Sequence, residues 1–164
     1  MEERFFKTIG GMVISGQMDL YNKSTKTLWD YKTTGMYKAA KAVKSSDPRK
    51  DCREWVIQTN CYRFLSGLQC DHIKILAIVK DFKYSNTYGI KQPAIVIELP
   101  KIKLSVIEEW LENRVKKIQQ VIKTGKYPEC TKEETWGGIR CKDWCDVSHL
   151  CSQYSGKNKC WLDD

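Results

Sequence analysis

Residues Gly16–Thr34 read GQMDLYNKSTKTLWDYKTT, and the fold turns on this stretch. Two apolar runs flank the polar tetrad Asn22-Lys23-Ser24-Thr25, a turn signal, so the segment is expected to form a β-hairpin with an acid on each strand. Asp19 stands near the end of the first run, MVISGQMDLY, and Asp30-Tyr31-Lys32 closes the second. Side chains two residues apart on a strand share a face. The Asp30 carboxylate and the Lys32 ammonium therefore project together, and the paired strand can bring Asp19 beside them. Two converging carboxylates form a hard oxygen site suited to Mg²⁺. A lysine next to that site can orient a water and offset charge on a phosphate. The same Asp-x-Lys triplet also fits a solvated strand face of alternating charge, so its surroundings decide between the two.

A helix is expected over about Arg49–Gly67. Ile57, Cys61, Phe64 and Leu68 recur at helical spacing as its core stripe. Gln58 and Tyr62 are four apart on the flank of that stripe, where they can reach the hairpin acids or a bound phosphate. Arg63 directly follows Tyr62 and is a candidate phosphate contact. Between hairpin and helix, a short helix is expected over Gly35–Val43, and Ser45-Ser46-Asp47-Pro48 signals a loop and a helix start. Lys38 and Lys41 on that short helix can line a DNA groove through phosphate contacts, which position without reading sequence.

Gly-x-x-Asp (Gly16, Asp19), then Asp-x-Lys (Asp30, Lys32), then Gln-x-x-x-Tyr (Gln58, Tyr62), in this order, resembles the PD-(D/E)XK nuclease superfamily. The nearest likeness is to its RecB-like exonuclease branch, with CRISPR-associated and phage-encoded members. The surrounding text, ISGQMDLY, WDYKTT and QTNCYRFL, is similar to that branch too. The resemblance implies an α/β fold with a restriction-endonuclease-like mixed sheet core flanked by helices. It implies a Mg²⁺- or Mn²⁺-dependent DNA nuclease, an exonuclease acting on single strands or duplex ends. Asp19 and Asp30 would ligate the metal, with Glu2 and the Tyr31 carbonyl completing the site. Lys32 would activate water, and Gln58 and Tyr62 would position the lysine or the scissile phosphate. In that branch an acid-bearing helical region precedes the hairpin, and Glu2 or Glu3 is expected to be its remnant. No histidine precedes His72 here, so the branch's N-terminal histidine motif is missing from this sequence. A non-catalytic DNA- or protein-binding module on the same fold is the alternative.

The 164 residues suffice for a domain with a real core, and 41% hydrophobic content with six Trp and eight Tyr excludes a disordered chain. A net charge of +8 fits a polyanionic partner such as nucleic acid. No apolar run approaches a membrane span, and MEERFFKTIGG lacks the pattern of a signal peptide, so no membrane partner and a cytoplasmic setting are expected. There, eight cysteines point to metal ligation or free thiols more than to disulfides.

Beyond the helix, Ile73–Val79 and Ala94–Leu99 read as strands, the first of them buried. Asp81-Phe82-Lys83 repeats the Asp-x-Lys spelling without a partnering acid and is not read as a second site. Ser105–Lys123 is expected to be a long helix, with Ser105 as cap and Glu108 completing a capping box. Val106, Ile107, Trp110, Leu111, Val115, Ile118, Val121 and Ile122 supply its packing face. The core is expected to end near residue 126, followed by a Cys-rich segment over 127–164. Cys130, Cys141, Cys145 and Cys151 fall there with ten, three and five intervening residues. Clustered thiolates bind a soft metal, either Zn²⁺ or an iron–sulfur cluster. The resemblance favours a [4Fe–4S] cluster, while the three-residue gap between Cys141 and Cys145 departs from the branch's usual two and keeps Zn²⁺ open.

Overall fold

The computed structural model describes residues 3–151, 153 and 154. In chain order it has β1 (Glu3–Ile9), β2 (Met12–Met18), β3 (Leu20–Asn22), β4 (Thr27–Thr34), α1 (Met36–Val43), α2 (Pro48–Asp51), α3 (Arg53–Ser66), β5 (His72–Val79), β6 (Ala94–Leu99), α4 (Leu104–Thr124) and α5 (Ile139–Asp143). Two compact units result, residues 1–116 and 117–164, the division falling within α4.

The first unit holds two sheets. β1 and β2 form an antiparallel ribbon with Ile9 opposite Met12. The two-residue link is Gly10-Gly11, with φ of +53° and +80°. Both positions lie in the left-handed region that tight hairpin turns need and glycine tolerates. Glu3 thus opens a strand, which corrects the expectation that it is part of a helical remnant. Glu2 lies outside the described residues.

The second sheet has the order β3-β4-β5-β6. β3 and β6 run antiparallel to their neighbours, whereas β4 and β5 are parallel, with Thr27 level with His72 and Thr34 level with Val79. Parallel neighbours require a long crossover, and here α1, α2 and α3 provide it. The expected hairpin exists as β3–β4, and its first strand is broken. Residues 12–22 form one extended run that leaves the ribbon and joins the larger sheet at Asp19.

One face of the larger sheet is apolar and covered. Leu28, Ile73, Ile75, Ala77, Ile95, Ile97 and Leu99 are buried with Trp55 and Val56 of α3 and Met36, Ala39, Ala40 and Ala42 of α1. The other side of α3 packs Phe64 and Leu65 against Ile9, Ile107, Leu111 and Val115, beneath the ribbon. α3 is therefore covered on two sides, so the simple stripe expected for it is incomplete. Ile57 and Cys61 are half-buried, while Thr59, Asn60 and Arg63 are buried.

Most atoms of those buried polar groups find partners, and Arg63 Nε has none among the described residues. Asn60 Nδ2 donates to the carbonyls of Val56 (2.8 Å) and Pro100 (3.0 Å), and Asn60 Oδ1 accepts from Ile102 N–H at 2.9 Å. Arg63 Nη2 donates to the Ile102 carbonyl. Together they clamp the connector into α4. That helix is capped by the Lys103 carbonyl, which accepts from Val106 and Ile107, so Ser105 lies in the first turn and is not the cap. The buried positions of α4 are Ile107, Leu111 and Val115, whereas Val106, Ile118 and Ile122 are exposed.

Elsewhere local chemistry matches local structure. Asp47 accepts from Arg49 N–H and Pro48 occupies the first turn of α2. Asp81 Oδ1 accepts from Met36 N–H at 2.7 Å, so this acid serves the N-terminus of α1. No helix among the described residues is long and apolar enough to cross a membrane.

Candidate active site

On β4 the alternation of side chains puts Leu28, Asp30 and Lys32 on the covered face and Tyr31 on the open one. Asp30 is 3% exposed. The break at Asp19 brings the second acid alongside, because Leu20 pairs with Trp29 and the next step outward places Asp19 beside Asp30. Asp19 Oδ2 accepts from Tyr31 N–H at 2.6 Å, a bond to β4 that continues the ladder after β3 has ended. The Tyr31 carbonyl leaves the strand on the same side as its N–H, toward Asp19.

From Asp30 a polar chain runs onto α3. Lys32 Nζ is 2.8 Å from Asp30 Oδ2 and donates to Gln58 Oε1 at 2.8 Å. Gln58 Nε2 in turn donates to the Tyr62 hydroxyl oxygen at 2.5 Å. Gln58 and Tyr62 stand one helical turn apart, so one face of α3 presents both. The Tyr62 ring fits against β2 at Gly16, where an added Cβ would stand 2.9 Å from Tyr62 Cδ1 and from Leu65 Cδ1. A glycine here lets the ribbon approach α3 closely enough to hold the tyrosine.

The electrostatics follow from burial. Desolvation is the largest influence on Asp30 and pushes its carboxyl up, the Lys32 ammonium pulls it down, and the charge of Asp19 pushes it up again. Burial likewise raises the Tyr62 phenol, against the pull of Gln58, with Asp30 adding to the rise. Tyr62 thus keeps its proton, and since its oxygen accepts from Gln58, that proton is available to another acceptor.

Asp19, Asp30, Lys32, Gln58 and Tyr62 are therefore brought together as neighbours. A divalent cation fits the acid pair on one specific ground. Asp30 Oδ2 is buried and, beyond the ion pair with Lys32, has no hydrogen-bond partner. A desolvated carboxylate oxygen beside a second carboxylate and a backbone carbonyl is the donor set that Mg²⁺ or Mn²⁺ takes. No group of three or more acidic, His or Cys side chains forms a metal cluster among the described residues.

The proposed DNA contacts divide. Lys38 pairs with Glu54 at 3.7 Å and lies over the Trp55 ring, and Lys41 pairs with Asp51 at 3.4 Å; Lys38 is half-buried and Lys41 exposed. Arg63 is corrected. It is buried, points to Ile102, and burial pushes its guanidinium down. One residue along a helix is a rotation of about 100°, so adjacency to Tyr62 in sequence sends Arg63 to another face.

In the second unit Cys141 lies in α5 and Cys145 just beyond it. Cys130 is tied through its backbone to Gln153, with bonds of 2.7 and 2.8 Å. Burial, then Glu134, then the nearby Cys151 and Cys141 raise the Cys130 thiol. The four thiols expected to share a metal do not form a ligand cluster here among the described residues.

No protein-family model matches the chain, and no curated protein does. Among solved structures, the crystal structure of SSO0001 is similar, with a TM-score of 0.49 and 13% identity over 92% of this chain. This chain spans 58% of the length of that one.

Proposed function

We propose that this chain is a Mg²⁺- or Mn²⁺-dependent DNA nuclease of the PD-(D/E)XK type, on a restriction-endonuclease-like core. The observation that carries the reading is the continuous chain Asp30–Lys32–Gln58–Tyr62 with Asp19 alongside, in which the buried Asp30 Oδ2 has Lys32 as its one polar contact among the described residues. Resemblance in sequence supplies the order of these residues, and the net charge of +8 suits a polyanionic substrate.

Asp19 and Asp30 would hold the cation, with the Tyr31 carbonyl on the same side. When bound there, a divalent cation supplies Lewis-acid polarisation of the phosphate and offsets its charge. Lys32, fixed between Asp30 and Gln58, orients the attacking water and stabilises negative charge as the phosphorus becomes five-coordinate. The water oxygen forms the new bond to phosphorus in line with the ester oxygen that leaves, the water giving up a proton to solvent while the leaving oxygen takes one from it. Gln58 holds Lys32 by its carbonyl and Tyr62 by its amide. The Tyr62 hydroxyl can donate its proton in a hydrogen bond to a phosphate oxygen.

End-labelled linear DNA, single-stranded and duplex, tests this with Mg²⁺ or Mn²⁺ beside an EDTA control and Lys32→Ala. Metal-dependent shortening that Lys32→Ala abolishes supports the nuclease. Binding without cleavage, unchanged in Lys32→Ala, points to a non-catalytic DNA-binding module instead.

A further inference from the structure

A second feature lies beside α1, which follows β4 directly through Gly35. An open cleft of about 350 Å³ is lined by Tyr37, Lys41 and Lys44 of the α1 region, Ser45 and Asp51 beyond it, and Tyr88 from the β5–β6 loop. Its size is at the lower end of the roughly 300–1,000 Å³ of ligand clefts, the scale of one small organic group.

The aromatic residues are not core residues. Tyr37 is 67% exposed and Tyr88 is 40% exposed. Their ring centroids are 6.3 Å apart at an interplanar angle of 75°, which makes a corner and not a slot. A flat aromatic group can lie on one ring with its edge against the other, the offset and edge-to-face geometries aromatic pairs prefer. The corner is held in place. Asn86 Nδ2 donates to the Lys83 and Ile90 carbonyls at 2.7 and 2.8 Å, and Ile90 is buried, so the loop presents Tyr88 from a braced turn.

The charges suit an anion next to that ring pair. The Asp51 carboxylate in the lining is occupied by Ser45 Oγ at 2.8 Å and Lys41 Nζ at 3.4 Å. The Lys44 ammonium lies across Gly89, 3.7 Å from where a Cβ would be, and pairs with no acid among the described residues. An aromatic corner beside an unpaired ammonium combines the two elements that hold single-stranded nucleic acid: a stacking surface and a cation for the backbone.

We infer that this cleft is a subsite for one unpaired nucleotide of a single-stranded DNA, its base on the Tyr37–Tyr88 corner and its phosphate at Lys44. The inference takes its substrate from the nuclease reading above, and it does not depend on cleavage. It assigns the substrate a single-stranded segment held by α1 and the β5–β6 loop. An interior paired base is already stacked on both sides and has no open face for the corner, so the body of a duplex does not use it.

The test is binding of a short fluorescein-labelled oligo-dT to the whole chain in EDTA, read by anisotropy, with blunt duplex as the comparison. Tyr37→Ala and Tyr88→Ala should each weaken the oligo-dT complex by about 5- to 100-fold, the loss of one stacked base, and leave duplex affinity unchanged. Tyr37→Phe, which keeps the ring, should bind like the parent. Lys44→Ala should lower the salt slope of binding by about one. Melting curves of these surface variants should match the parent. The inference is overturned if both Tyr→Ala variants keep parental affinity, or if they weaken duplex and single strand equally. It is equally overturned if poly-glutamate displaces the strand from parent and Tyr→Ala variants alike, which would mark an acidic-peptide or general polyanion surface. A parent that binds through the corner and never cleaves would reject the nuclease and keep the subsite. A parent that cleaves with the tyrosines dispensable would do the reverse.

Discussion

The Tyr62 ring lies against Gly16, with room for no side-chain atom between them. Gly16→Ala places a methyl 2.9 Å from Tyr62 Cδ1 and must displace that ring. The hydroxyl moves with it, and the hydrogen bond from Gln58 is lost. Overpacking of this kind costs about 1–3 kcal/mol. The expected outcome is a folded protein with a lower melting temperature and a cleavage rate reduced more than its affinity for DNA. Parental cleavage in Gly16→Ala would show that the position of Tyr62 is not used.

Asp30→Asn should raise stability while removing activity. Burial raises the Asp30 carboxyl above its unfolded value of about 3.9. Below that value both folded and unfolded chains carry the proton, and Asp30 has no effect on the balance. As pH rises through the interval up to the folded value, the unfolded chain gives up its proton first, and the folded state is progressively disfavoured. The stabilisation by Asp30→Asn should therefore be greatest above the folded value and fade as pH falls toward about 4. Thermal melts across that range read it directly; a neutral-pH loss of stability in the variant would contradict the account.

Gln58 and Tyr62 should act as a unit. Gln58→Ala frees Lys32 on one side and Tyr62 on the other, and loss of such a supporting contact costs about 10–100-fold in activity or metal affinity. Tyr62→Phe should cost less, since it removes one hydroxyl and leaves Lys32 held. The double variant should cost about what Gln58→Ala costs alone, because contacting residues do not contribute additively. Additive losses would mean the two residues serve separate ends.

Arg63 should prove structural. Arg63→Ala leaves the Ile102 carbonyl without its donor inside the fold, a loss of about 1–3 kcal/mol. At a temperature where the variant is folded, its DNA affinity and salt slope should equal the parent's. A salt slope lower by about one would instead return Arg63 to the DNA surface.

Native alkylation should rank the cysteines by burial. Burial pushes the Cys61 thiol up to about 11, and Cys52 and Cys70 are buried and raised as well. Those three should resist iodoacetamide at neutral pH, while the exposed Cys130 reacts. Iron or zinc copurifying with the chain, together with protection of Cys130, Cys141, Cys145 and Cys151 that a chelator reverses, would establish the tail metal.

The strands β4, β5 and β6 and the helix α1 were legible because each has the residue pattern of its own element and a turn signal at its ends. β1 was not. Its apolar positions, Phe5 and Ile9, belong to a face completed only by α3 and α4. The neighbourhood of Asp19 and Asp30 was legible from hairpin pairing, and that of Gln58 and Tyr62 from helical spacing. Arg63 misled because adjacency in sequence is separation on a helix. The Tyr37–Tyr88 corner joins residues far apart in the chain, and no local pattern announces it.

The parallel pairing of β4 with β5 also sets a timetable. Every residue of the polar chain has been synthesised before His72–Val79 is added. Yet β4 has no parallel neighbour until that later strand arrives and the long crossover closes. Such contacts between distant segments form late and slowly, because loop closure must precede them. A nascent chain halted before β5 would carry all five residues of the candidate site without the sheet that joins hairpin and helix. The proposed activity would then be acquired only once β5 has joined the sheet.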